Sequence, residues 1–234
     1  MESASYTKIA FLGLILAIAS SCKVYNPQLA PIPLLSGRNE LQIEGGISAP
    51  AGCHVSIAYS PLTKIGIQAF GSLSAESGHH YQGAIGYYWN NRSSLKYEIY
   101  SGIATGNGTA FMTRKPGSLK GDYSTYFLQM NLGQEAQWQK QIEYGIGLKV
   151  GLFDADITDN GFYESDGLDP VVYTHSYFLI EPMAFVRFGK KKLRVGLQMN
   201  GVSLINARQK QRQIPYNTIA LGINLNYRLK AREK

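Results

Sequence analysis

The stretch that most constrains this chain is 219–229, where every odd position is apolar (Ile219, Leu221, Ile223, Leu225, Tyr227, Leu229). The even positions are Ala220, Gly222, Asn224, Asn226 and Arg228. Alternation with period two gives a single β-strand one apolar face and one small or polar face. A soluble sheet packs the apolar face on a core. A membrane barrel turns it to lipid and lines its lumen with the other face.

The same alternation recurs at 39–48, 53–60, 64–74, 80–90, 95–104, 123–133, 141–152, 173–188 and 193–204. In 141–152, Ile142, Tyr144, Ile146, Leu148, Val150 and Leu152 face one way, and Glu143, Gly145, Gly147, Lys149 and Gly151 the other. Pro182 removes a ladder donor, so a bulge or break is expected there. Ten strands satisfy the even count of single-chain bacterial barrels. Connections at 60–63, 91–94, 134–140 and 189–192 are short, whereas 105–122, 153–172 and 205–215 are long. Long loops at one end and short turns at the other fit outer-membrane barrels.

The polar faces carry Glu44, Lys96, Glu98, Glu143, Lys149, Glu181, Arg187, Arg194 and Arg228. That is too much charge for a dry soluble core. The opposite faces end in Tyr59, Tyr87, Trp89, Tyr97, Phe188 and Tyr227, as interfacial aromatic belts do. The expected fold is therefore all-β, a ten-stranded up-and-down antiparallel transmembrane β-barrel over 39–234. Ten strands lie near the size that side chains fill. Hence Glu98, Glu143, Lys149, Glu181, Arg187, Arg194 and Arg228 are expected to pair across the lumen as a plug, since a charge in a narrow interior needs a partner. Inward glycines leave room for these long side chains.

Residues 1–21 read as a secretory signal: Lys8 precedes the apolar run 9–19, too short to span a membrane as a helix, and Ser20 and Ser21 follow. Cys22 comes next, and here the chain resembles bacterial lipoproteins, whose lipobox ends in small residues and an acylated cysteine. With Cys22 acylated, Cys53 is a lone thiol; with Cys22 free, a bridge to Cys53 is an option. Residues 22–38 (…KVYNPQLAPIPLLSG) hold three prolines and little charge, and read as an extended tether to strand 1. Gly222, Leu225 and Tyr227 also resemble the C-terminal motif taken by the barrel-assembly machinery. Taken together, these features resemble the small outer-membrane β-barrel lipoproteins of the Bacteroidota. The resemblance implies an outer-membrane location, with the lipid on the periplasmic side because strand 1 starts at the short-turn end. It carries no catalytic residues.

No enzyme, cofactor or metal is expected. Residues His54, His79, His80 and His175 are the only histidines, His79 and His80 lying on a tight turn, and no Asp-Asp or Asp-His dipeptide of the outer-membrane protease type occurs. The acidic stretch 153–172 (Asp154, Asp156, Asp159, Glu164, Asp166, Asp169) misses the EF-hand spacing. A net charge of +7 raises nucleic acid as a partner, but the basic residues sit in short clusters without interleaved aromatics, which argues against it. The basic stretch 205–215 (Arg208, Lys210, Arg212) is a candidate for lipopolysaccharide phosphates. The expected role is structural or surface-interacting, through long loops held by a rigid barrel. Alternatives are a small pore or hydrophobic-ligand barrel, and a soluble periplasmic β-barrel lipoprotein.

Overall fold

The computed structural model describes residues 23–50, 52–74, 78–90, 95–111, 117–136, 141–161, 170–190, 192–206 and 214–230. The strands are β1 (Glu40–Ala49), β2 (Gly52–Leu62), β3 (Ile65–Leu73), β4 (His79–Asn90), β5 (Leu95–Phe111), β6 (Ser118–Glu135), β7 (Ile142–Asn160), β8 (Val171–Lys190), β9 (Leu193–Gly201), β10 (Ser203–Asn206) and β11 (Ile219–Lys230). From β1 to β9 each strand pairs antiparallel with the next in sequence. The ring closes through β1 on β11, β11 on β9, and both β9 and β10 on β8. β9 and β10 form one barrel strand interrupted at Val202, so the barrel has ten staves. The expected irregularity at Pro182 falls on this neighbour. The β7–β8 ladder runs through Leu148↔Pro182 unbroken, while the β8 pairings stop at Met183↔Asn200 and resume at Ile180↔Ser203.

The faces divide as a membrane barrel requires. Ile47 is 67% exposed and Ile223 52%, whereas Glu143 and Glu181 are fully buried and Arg228 is 5% exposed. A soluble barrel would not carry a continuous apolar belt of this kind, which excludes the periplasmic soluble alternative. On β7 the belt runs from Tyr144 to Leu152. That is about 26 Å along the strand and, at a tilt of about 40°, roughly 20 Å of height, near the ~25 Å apolar band of such barrels. Tyr59, Tyr87, Trp89, Tyr97 and Phe188 mark its short-turn edge, with Trp89 and Tyr97 stacked at 5.2 Å between centroids. Cys53 is an exposed free thiol on this outer face.

Two of the expected long loops are corrected. β5 and β6 pair out to Phe111↔Ser118, and β7 and β8 out to Asp159↔Val171, so 105–111, 118–122, 153–160 and 171–172 are strand. The physical reason is an inversion of faces. Beyond Leu152 the inward residues Phe153, Ala155 and Ile157 are apolar and buried, while Asp154 and Asp156 point outward. Ser176 and Thr174 across the ladder donate to Asp154 and Asp156 at 2.6 and 2.7 Å. Above the belt, water surrounds the outer face and the interior becomes a small apolar core of Tyr123, Phe153, Ala155, Ile157, Tyr177, Leu179, Leu204 and Ile214. Residues Glu164, Asp166, Asp169, Arg208, Lys210 and Arg212 lie outside the described residues.

Candidate functional site

The lumen is occupied by the chain's own N-terminal segment. Val24, Tyr25, Leu29, Ala30, Ile32, Leu34 and Leu35 are all at most 1% exposed. The reading of 22–38 as an extended tether joining a periplasmic-side anchor to strand 1 is therefore corrected: 24–36 thread through the barrel. An extended segment of that length spans about 37 Å at ~3.1 Å per residue, enough to traverse the belt and the core above it. Proline suits the role because it brings no N–H into an interior short of acceptors.

The carbonyls of the segment are taken by inward side chains in descending order. Asn200 donates to Gln28 O at 2.5 Å, Gln198 to Ala30 O at 2.9 Å, and Gln129 to Pro31 O at 2.8 Å. Arg187 Nη1 donates to Ile32 O at 2.9 Å and Arg228 Nη2 to Pro33 O at 3.2 Å. Ser72 donates to the Gln28 side chain, and the Tyr25 hydroxyl donates to Glu181 at 2.5 Å. At the lower end Leu35 N donates to Glu98 at 2.7 Å and Ser36 N to Glu40 at 2.9 Å. The barrel wall is cut back to fit. Side chains added at Gly222, Gly133 and Gly121 would run into Leu29, Leu34 and Val24, and one at Gly147 would press on Ile32. Other glycines do make room for long wall side chains, as expected: Gly196 faces Asn224 and Arg187.

Below the midpoint Glu143 gathers four cations: Arg194 at 2.8 Å, Lys96 at 3.1 Å, Arg228 at 3.3 Å and Arg187 at 3.5 Å. Each arginine has a second carboxylate, namely Glu44 for Arg187 (2.8 Å), Glu135 for Arg194 (2.8 Å) and Glu40 for Arg228 (3.2 Å). Higher up, Lys149 and Glu181 pair at 2.5 Å. Of the seven expected charges, six lie in these ion pairs. Glu98 differs: it is held by Leu35 N, by Asn131 at 2.9 Å and by the Tyr100 hydroxyl at 3.3 Å. Glu44 and Lys96, which the sequence places on the polar faces but not in the plug, also join it. Sequence reasoning missed Glu40 and Glu135 altogether, since both sit at strand ends, and it missed the segment that completes the network.

Among the described residues, the inward side chains of β2–β4 are largely polar and enter no ion pair. His54 stacks on Phe70 at 5.9 Å, and neither ring nitrogen has a hydrogen-bond partner among the described residues. His79 and His80 open β4 rather than lying on a turn, so consecutive positions point them to opposite faces and they cannot share a metal. His80 Nδ1 lies 3.1 Å from the Tyr123 hydroxyl. His175 faces inward between the rings of Tyr173 and Tyr177. Among the described residues, no three His, Cys, Asp or Glu side chains gather into a metal-binding group.

The start of the segment lies at the mouth with the long hairpins. Val24 packs against Gly108 and Gly121, near the far ends of β5 and β6. Cys22 is outside the described residues, but its neighbour Lys23 lines the same mouth. The expectation that the N-terminal end begins beside the short turns is thus corrected.

No protein-family model matches the chain, and no curated protein matches it in sequence. Among solved structures, the outer membrane protease OmpT of Escherichia coli is similar, with a TM-score of 0.55 and 9% identity over 81% of this chain and 93% of that one. The N-terminal β-barrel domain of Pseudomonas aeruginosa OprF matches with a TM-score of 0.31 and 13% identity, over 83% of this chain and 100% of that one. A KdgM porin in complex with disordered oligogalacturonate matches with a TM-score of 0.34 and 9% identity, over 80% and 98%. At these identities the first likeness speaks to the fold alone, and the other two are too distant in geometry to carry an argument.

Proposed function

We propose that this protein is a self-plugged barrel of the bacterial outer membrane, a rigid non-enzymatic scaffold that holds its long hairpins at the cell exterior. The observation that carries this reading is the filled lumen. A segment whose carbonyls are taken one after another by Asn200, Gln198, Gln129, Arg187 and Arg228 leaves no continuous path for solute. Among the described residues, the spaces beside it next to Ser72 and next to Ser56 each admit only about 10 Å³, the volume of a single water. Ion pairs that are balanced and buried favour a lumen built for rigidity over one built for passage. With the hairpins fixed by continuous ladders on β5 to β8, contacts with outer-membrane lipids or a partner fall to the polar rim above the belt.

Planar-bilayer recording tests the reading. The full-length protein is expected to insert without resolvable conductance steps. Regular stepwise conductance from the intact chain would instead support the small-pore alternative.

A further inference from the structure

We infer that the barrel closes around its own N-terminal segment, so that Lys23 is displayed on the exterior side of the membrane. The inference rests on the orientation proposed above, with the long hairpins outside. The direction of the segment carries it. At its upper end Val24 N donates to Pro215 O at 3.0 Å and Asn217 N to Tyr25 O at 3.1 Å, both on the stretch that follows the last long connection. A parallel bridge joins Tyr25 to Tyr216. At its lower end Ser36 is bonded to Glu40, which pairs with Lys230 at the opposite mouth. The segment thus descends from the long-hairpin mouth, turns, and re-ascends as β1.

A chain in this arrangement passes through a ring made of itself. Two routes lead there: the free end is drawn through a finished barrel, or the barrel is finished around the segment. Drawing the free end through a finished barrel would carry the Lys23 ammonium past Lys96, Arg187, Arg194 and Arg228, which crowd the lower lumen around Glu143. Closure around the segment avoids that passage. The closing strand fits that order: β11 supplies Arg228 to Pro33 O and to Glu143, and Asn224 and Asn226 to Glu44 of β1. Joining β11 to β1 and locking the segment are one event. A fatty acyl group on Cys22, as the sequence leads one to expect, would then anchor in the outer leaflet.

Native lysines provide the test. Lys23 and Lys120 belong to the long-hairpin side, and Lys64 and Lys192 to the short turns. Intact cells are treated with a membrane-impermeant amine-reactive biotin, and the purified protein is mapped by peptide mass spectrometry. Labelling of Lys23 and Lys120 before lysis, with Lys64 and Lys192 labelled only after it, is expected. Labelling of Lys120 but not Lys23 before lysis, with Lys23 reacting after it, overturns the inference while leaving the orientation standing. Labelling of Lys64 and Lys192 with Lys120 protected overturns the orientation itself. An epitope placed between Cys22 and Lys23 gives a second readout. Surface staining of intact cells is expected, and staining only after permeabilisation contradicts the inference.

Discussion

Replacing Glu143 by alanine is expected to lower the unfolding free energy of the barrel in detergent micelles by roughly 3–5 kcal/mol, the scale for breaking a buried ion pair. Glu143 is fully buried and serves Lys96, Arg187, Arg194 and Arg228 together. The three arginines retain Glu44, Glu135 and Glu40, but Lys96 has no second carboxylate among the described ion pairs. The cost therefore concentrates on a stranded ammonium. Adding Lys96→Met to Glu143→Ala is expected to recover part of the loss, because an uncharged stem needs no partner. Glu135→Ala is the contrasting case. Glu135 is 29% exposed at its side chain and has Arg194 alone, so about 0–1 kcal/mol is expected. Urea midpoints read the difference, and equal midpoints for the two single variants would show that Glu143 is not the hub.

Deleting 24–35 is expected to turn a silent barrel into a conducting one without preventing folding. The magnitudes decide this. Burying Leu29, Ile32, Leu34 and Leu35 contributes about 1.5–3 kcal/mol each. Ordering its twelve residues costs about 1–2 kcal/mol each, which outweighs that gain, so the hydrogen bonds to its carbonyls are also needed to hold it. The interstrand ladders do not depend on it, and Gln198, Asn200, Gln129 and Arg187 would meet water in place of carbonyls. The segment is thus a filler of the lumen more than a determinant of the ring. Heat-modifiable migration on gels reports folding, and planar bilayers report stepwise conductance. A deletion variant that folds yet stays silent would mean that wall side chains alone close the lumen.

Much of the ring was legible because alternation reports directly on a strand with different surroundings on its two faces. The outward sets Ile43–Ile47, Tyr144–Leu152 and Ile219–Leu229 follow from that rule alone. The extensions of β5 to β8 escaped because the rule was applied with a fixed polarity. At Leu152–Phe153 the apolar residues move from even to odd positions, marking the height at which lipid outside gives way to water. That one-residue phase shift is in the sequence, and it dates the edge of the belt better than any loop length. The lumen segment escaped for a different reason. Its contacts are with strands far apart in sequence, and nothing periodic records them. One local signal was available: Leu29, Ile32, Leu34 and Leu35 are too apolar for a solvated tether. The choice of partners for Glu143 was not legible either, since it depends on which staves of the ring face one another across the lumen.

The most direct measurement is the reactivity of Ala30→Cys in a Cys22→Ser, Cys53→Ser background, with Asn160→Cys, exposed at the end of β7 above the belt, as the control. Ala30 is fully buried among Ile32, Leu34, Met183 and Phe185, so the small substitution keeps the packing. With the segment inside the lumen, a polar maleimide is expected to modify Ala30→Cys roughly a hundredfold more slowly in the folded barrel than in urea, because reaction waits on local opening. Modification of Ala30→Cys in the folded protein as fast as Asn160→Cys would place the segment outside and contradict the plugged lumen.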